Sequence, residues 1–244
     1  MKFLLTAILL VQAAPAQSPA DKLEAALKKF GDRNYRILLD GKDAGICSLK
    51  TRIEKEGGKS VAVFEDQFAM ALEEQKLVMT WTQKASTDRL QLISAKHTTD
   101  LSGRKSEWIL QVEGKKALIE SDGKKETVEI GVGAIGEAGM VRLVCAAEQK
   151  EGASFTADVM SGVANQFQPG HSFKCVGKES LDIGGKKLDT FKWENKGEWK
   201  STVTVDGQEV PNSTSVQNTF WVSPDGYLVR SLGNGRSELI LDAK

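Results

Sequence analysis

The sequence predicts a mainly β (α+β) protein, a large curved antiparallel sheet or incomplete barrel with one to three helices packed on or plugging its concave face. Three observations predict it. Seven two-residue turn signals, Asp40-Gly41, Gly57-Gly58, Asp122-Gly123, Gly184-Gly185, Asp206-Gly207, Asp225-Gly226 and Asn234-Gly235, are scattered along the whole chain, and such pairs accept the positive φ that tight hairpins demand. Between them, polarity alternates residue by residue, most clearly in Phe68-Ala69-Met70-Ala71-Leu72, Leu77-Val78-Met79-Thr80-Trp81 and Trp108-Ile109-Leu110-Gln111-Val112, the period of strands with one dry face. Runs with helical spacing are few.

Taken in order, residues 1–16 read as a signal peptide. Lys2 supplies the positive start, Phe3 to Val11 is a short apolar run, and Ala14-Pro15-Ala16 is a cleavage site of small residues. Residues 17–34 hold an amphipathic helix over Asp21–Gly31, with Asp21 as N-cap, Leu23, Ala26, Leu27 and Phe30 on one face, and Gly31 as the stop. Residues 35–244 form a single antiparallel β domain. Its strands begin with the pair Tyr35–Leu39 and Ala44–Ile53 and run on through Leu90/Leu92, Val128/Ile130, Phe220/Val222 and Leu239/Leu241. A helical insertion near 131–170 interrupts this meander: one helix from Glu137 to Gln149, with Met140, Leu143, Val144 and Ala147 at three-four spacing, and a weaker one from Ala157 to Phe167.

Composition narrows the chemistry. The 244 residues carry 33 basic and 33 acidic groups, so there is no broad positive field to attract nucleic acid. No stretch after the signal peptide is long and apolar enough to span a membrane, so the mature chain is expected in the periplasm or outside the cell. Export makes Cys47, Cys145 and Cys175 disulfide candidates, though three cysteines allow at most one internal bridge, and small buried hydrophobes are the plainer reading. Gly131-Val132-Gly133-Ala134-Ile135-Gly136 has the spacing of a dinucleotide loop. The run before it, Lys125 to Ile130, alternates charged with apolar residues as a half-exposed strand does, so the glycines are read as a strand-to-helix connection. No H-E-x-x-H, G-x-S-x-G or C-x-x-C occurs, and no cofactor, metal site or catalytic residue is expected.

The inward phases of the strands give the candidate cavity-lining residues: Phe68, Met70, Leu72, Met79, Trp81, Leu92, Trp108 and Leu110. A curled sheet must fill its concave face with helices or leave it to a ligand, and methionines conform to irregular apolar guests. Trp221 alternates out of phase with Phe220 and Val222. Either both faces of that strand are covered or Trp221 is a surface-binding residue.

The segments Phe173–Leu181, Gly185–Phe191 and Phe220–Arg230, with the opening hairpin around Asp40-Gly41-Lys42-Asp43, resemble a pattern in exported bacterial proteins of unknown function. Those proteins are similar to the LolA/LolB periplasmic lipoprotein-carrier superfamily. The resemblance implies an incomplete barrel wrapped over helices and a concavity for acyl chains; no functional residue is carried over from it. The expected role is that of a non-enzymatic envelope protein that binds an apolar small molecule, a lipid or a lipidated protein. The alternatives are a secreted protein- or glycan-interaction module and a secreted carboxylate hydrolase.

Overall fold

The computed structural model describes residues 18–161, 166–205 and 208–242; the signal peptide read over 1–16 and the Asp206-Gly207 turn lie outside the described residues. Helix α1 (Pro19–Phe30) begins earlier than its sequence suggests, because its N-cap is Ser18 rather than Asp21. The Ser18 hydroxyl accepts the Asp21 N–H and the Asp21 carboxylate accepts the Ser18 N–H, each at 3.2 Å. This reciprocal box sits behind a proline, whose missing N–H costs nothing in the first turn. Lys28 and Lys29 in the last turn complement the helix dipole, and Leu27 and Phe30 are its buried residues.

The first half of the chain is a meander of β1 (Arg33–Leu39), β2 (Lys42–Glu56), β3 (Lys59–Leu72), β4 (Gln75–Ser86), β5 (Leu92–Leu101), β6 (Arg104–Glu113), β7 (Lys116–Ser121) and β8 (Lys124–Glu129), each antiparallel to the next. After a crossover come β9 (Ile135–Gly136), α2 (Glu137–Ala146), β10 (Ser154–Ser161), β11 (Gln166–Ile183), β12 (Lys186–Val205), β13 (Gln208–Val222), β14 (Leu228–Gly233) and β15 (Ser237–Leu241). From β10 onward these strands form a second meander. The halves join where β1 pairs with β15, from Tyr35↔Leu241 to Leu39↔Ser237, so the described strands make one curved, unclosed sheet with β8 and β9 at its edges. Residues 130–134 connect those edges. Ile130 N–H donates to the Lys115 carbonyl and Leu92 N–H to the Ala134 carbonyl, which brings β9 against β5 as the sheet coils on itself.

The large curved, mainly antiparallel sheet is the one the sequence predicts, with β9 running parallel to β10 across α2; with only two residues in β9, this small βαβ unit left no mark on the strand pattern. Two sequence expectations need correction. The run Ala157–Phe167 is not a helix. Its described residues belong to β10 and β11, and Val159, Met160 and Ser161 are buried one after another, so both faces of the strand are covered and the period-two signal disappears. The second helix stops at Ala146, short of Gln149. The Gln149 amide donates to the carbonyls of Val144 and Ala147 at 3.0 and 2.9 Å, caps the freed carbonyls, and accepts the Trp193 indole N–H at 2.9 Å.

Helix α2 is fixed inside the sheet by a buried ion pair. Both terminal guanidinium nitrogens of Arg142 donate to the Asp66 carboxylate, at 2.5 and 2.7 Å. Its Nε donates to the Thr51 hydroxyl and its Nη2 to the Lys50 carbonyl, and the guanidinium lies over the rings of Phe30 and Phe64. One side chain thus ties α1, α2, β2 and β3 together, with its donors matched as burial requires. The three cysteines sit in one core cluster with Tyr35, Trp193 and Phe220, and none is bridged. Burial pushes the Cys145 thiol up to about 12 and raises Cys47 and Cys175 as well, so none is a thiolate at neutral pH.

Candidate functional site

Register places the inward residues of the first meander in rows across the sheet: Phe68 faces Met79, Met70 faces Leu77, and Trp81, His97 and Trp108 follow one another over β4, β5 and β6. Along each strand the covering changes. Phe64, Ala85, Leu90 and Leu110 are fully buried; the first three pack with Leu27 of α1 and Ala138 of α2. Phe68, Met70 and Met79, farther along the same face, are only half-buried. The helices fill one end of the concavity and leave the other hollow.

The hollow end is a cavity of about 330 Å³. Phe68 and Met70 of β3, Met79 of β4, Met140 of α2, Phe220 of β13 and Leu239 of β15 line it, with Ile37 and Leu39 of β1 beside them. Both meanders and a helix therefore contribute to one apolar wall at the β1–β15 seam. Polar groups, Asn218, Ser231, Ser237 and Glu238, also border it, and Glu238 is held by Arg230 at 2.6 Å. Three methionines supply soft, unbranched side chains that can settle around guests of irregular shape.

Of the candidate lining residues, Phe68, Met70 and Met79 share this cavity. Trp81, Leu92 and Trp108 line a separate small one of about 30 Å³ under the first turn of α2. Leu110 is sealed in the core with Ala117 and Ile119. Leu72 ends β3 opposite Gln75, and its side chain lies outside the described residues. Trp221 is not a surface-binding residue. It is 5% exposed, packs with Leu181, Ile183 and Val229, donates its indole N–H to Glu179 and lies beneath Lys192 and Arg230. Long cationic stems can cover an aromatic ring without any helix above it, so both faces of that strand are covered, the other way its phase could be read.

Glu54 pairs with Arg52, Glu56 with Lys84, and Glu73-Glu74 forms the turn between β3 and β4. Sequence reasoning missed Ile37, Leu39, Met140, Phe220 and Leu239 as cavity residues. They sit in inward phases, but only the seam between the halves brings them to Phe68. It also missed Asp66 and Gln83, polar residues in otherwise apolar phases, which was the visible sign of a buried partner or void.

No family model and no curated protein matches the chain. Among solved structures, a β-barrel-like protein of the domain of unknown function DUF1849 from Brucella abortus superposes with a TM-score of 0.54 and 11% identity, covering 86% of this chain and 95% of that one. The hypothetical lipoprotein YmcC from Escherichia coli matches with a TM-score of 0.38 and 18% identity over 94% of this chain and 98% of that one. The first likeness establishes a shared barrel-like fold. Among the described residues, no helix is long and apolar enough to cross a membrane.

Proposed function

We propose that this is an exported, non-enzymatic envelope protein that holds an apolar ligand, or the lipid group of a lipidated partner, in the cavity between its two meanders. The observation that carries this reading is the hollow end of the concave face, where Phe68, Met70, Met79 and Met140 stay half-buried around about 330 Å³ while the rest of the face is packed. A cavity of that size and lining suits a small apolar guest or part of an acyl chain. The signal-peptide pattern over residues 1–16, with cleavage near Ala16, supports export, and the resemblance to LolA/LolB carriers points to the same kind of guest.

Titration with a fluorescent acyl probe tests the reading. Saturable one-to-one binding is expected, weakened at least tenfold by Met79→Glu because a charge in the lining must be desolvated. Absence of saturable binding to a folded protein would overturn it.

A further inference from the structure

The smaller cavity beside the apolar one is walled by Trp81, Gln83, His97, Trp108, Glu137 and Met160. It has a chemistry that the larger one lacks. The indole Nε1 of Trp81, the indole Nε1 of Trp108 and the amide Nε2 of Gln83 are buried N–H donors with no partner, on residues of which Gln83 is 4% and Trp108 7% exposed. Native interiors leave few such donors unmatched, and here three belong to residues around a single void of about 30 Å³. A water needs roughly 10–15 Å³ by this measure, so the void admits one small acceptor group and nothing larger. Glu137 already accepts the Ser161 hydroxyl at 2.7 Å, and its carboxylate stands against a second negative charge in the same place. Packing enforces the arrangement: a Cβ on Gly136 would meet the Gln83 amide at 2.2 Å, so the glycine lets the amide lie under the helix start.

The two cavities are neighbours. Phe68 lines the larger and Trp81 the smaller, and their rings meet at 5.7 Å. Met79 and Trp81 lie on one face of β4 two residues apart, about 7 Å. Resting on the apolar-ligand reading above, we infer that the small cavity receives the uncharged carbonyl oxygen of an acyl ester or amide whose chain occupies the methionine-lined cavity. The ligand class is then an acylated molecule rather than a free fatty acid or a hydrocarbon.

The test compares 1-decanoylglycerol, its ether analogue 1-O-decylglycerol, which lacks the carbonyl, and decanoate, each titrated into the purified protein. It follows the indole N–H resonances of Trp81 and Trp108 in ¹⁵N-labelled protein and the methyl resonances of Met70 and Met79 in ¹³C-labelled protein. The ester is expected to move both sets, to shift the indole protons downfield, and to bind about tenfold more tightly than the ether, with decanoate weaker than the ester. Trp108→Phe should reduce the ester's advantage, and the ester–ether comparison in the unaltered protein decides the matter even if that variant fails to fold. Equal affinity of ester and ether with moving methyls and still indoles overturns the carbonyl subsite and leaves the apolar cavity standing. Moving indoles with silent methyls overturn the apolar-ligand reading and, with it, the placement of the acyl chain on which the carbonyl subsite rests. A preference for decanoate overturns the uncharged acceptor, and binding of none of the three overturns both proposals.

Discussion

Arg142 and Asp66 are 1% and 3% exposed, and a charge so placed is tolerable only while its partner remains. Removing one member, as in Arg142→Met or Asp66→Asn, is expected to cost about 3–5 kcal/mol in urea unfolding. The double variant Arg142→Met/Asp66→Leu should lose less than the sum of the single losses, since no orphan charge is left. The two histidines set a pH dependence. Burial holds both His97 and His171 below the ordinary imidazole value, against the smaller opposing pull of Asn195 and Asp158 on His171. The folded state therefore resists protonation that the unfolded chain accepts near pH 6.5. Their stabilising effect is present above that pH and is lost as the pH falls toward the folded values. The Tm should drop between pH 7.5 and 5, and drop less in His97→Gln/His171→Gln; an identical decline in both proteins would refute this. At this scale the strand phase disclosed that Phe68, Met70 and Met79 point to the concave side. Asp66 showed only as a polar residue in an apolar phase, because the arginine that explains it lies 76 residues away on a helix whose packing partners no local pattern specifies.

Among the elements, the hairpins were legible because their reversals depend on neighbouring residues alone. Asp40-Gly41, Asp122-Gly123 and Asn234-Gly235 all take positive φ at both positions, the conformation those residue types make cheap. Bulges were harder to read. Gly45, with φ 151, lies where the β1–β2 register shifts, and an added Cβ would fall 2.0 Å from the Ala69 carbonyl oxygen. That glycine lets β2 approach β3 beside Met70, its paired residue, and a glycine inside a strand pattern was the available clue. Gly45→Ala is expected to destabilise by about 2 kcal/mol or more in thermal or urea unfolding. A neutral result would mean that the two strands can separate there at little cost. Helix limits were the least legible elements. Ser18 and Gln149 act through side-chain bonds to the backbone, which extend one helix and end the other at places where hydrophobic spacing alone is silent.

For the molecule as a whole, strand-rich architecture followed from polarity and turns, whereas the coiling of the sheet depended on contacts between distant parts of the chain. The pairing of β1 with β15 is the main one, reinforced by the Tyr35 hydroxyl, which donates to the Leu228 carbonyl at 3.0 Å. Ending the chain after Gly235 removes β15 and exposes the edges of β1 and β14. Such a truncation should abolish cooperative unfolding and acyl-probe binding together, as measured by circular dichroism and fluorescence; retention of both would show that the seam is dispensable. Pairings this remote in sequence are late and slow to form. A polypeptide whose first strand must wait for its last cannot settle that seam until its final residues have been made, so the hollow beside the seam takes shape only with the finished chain.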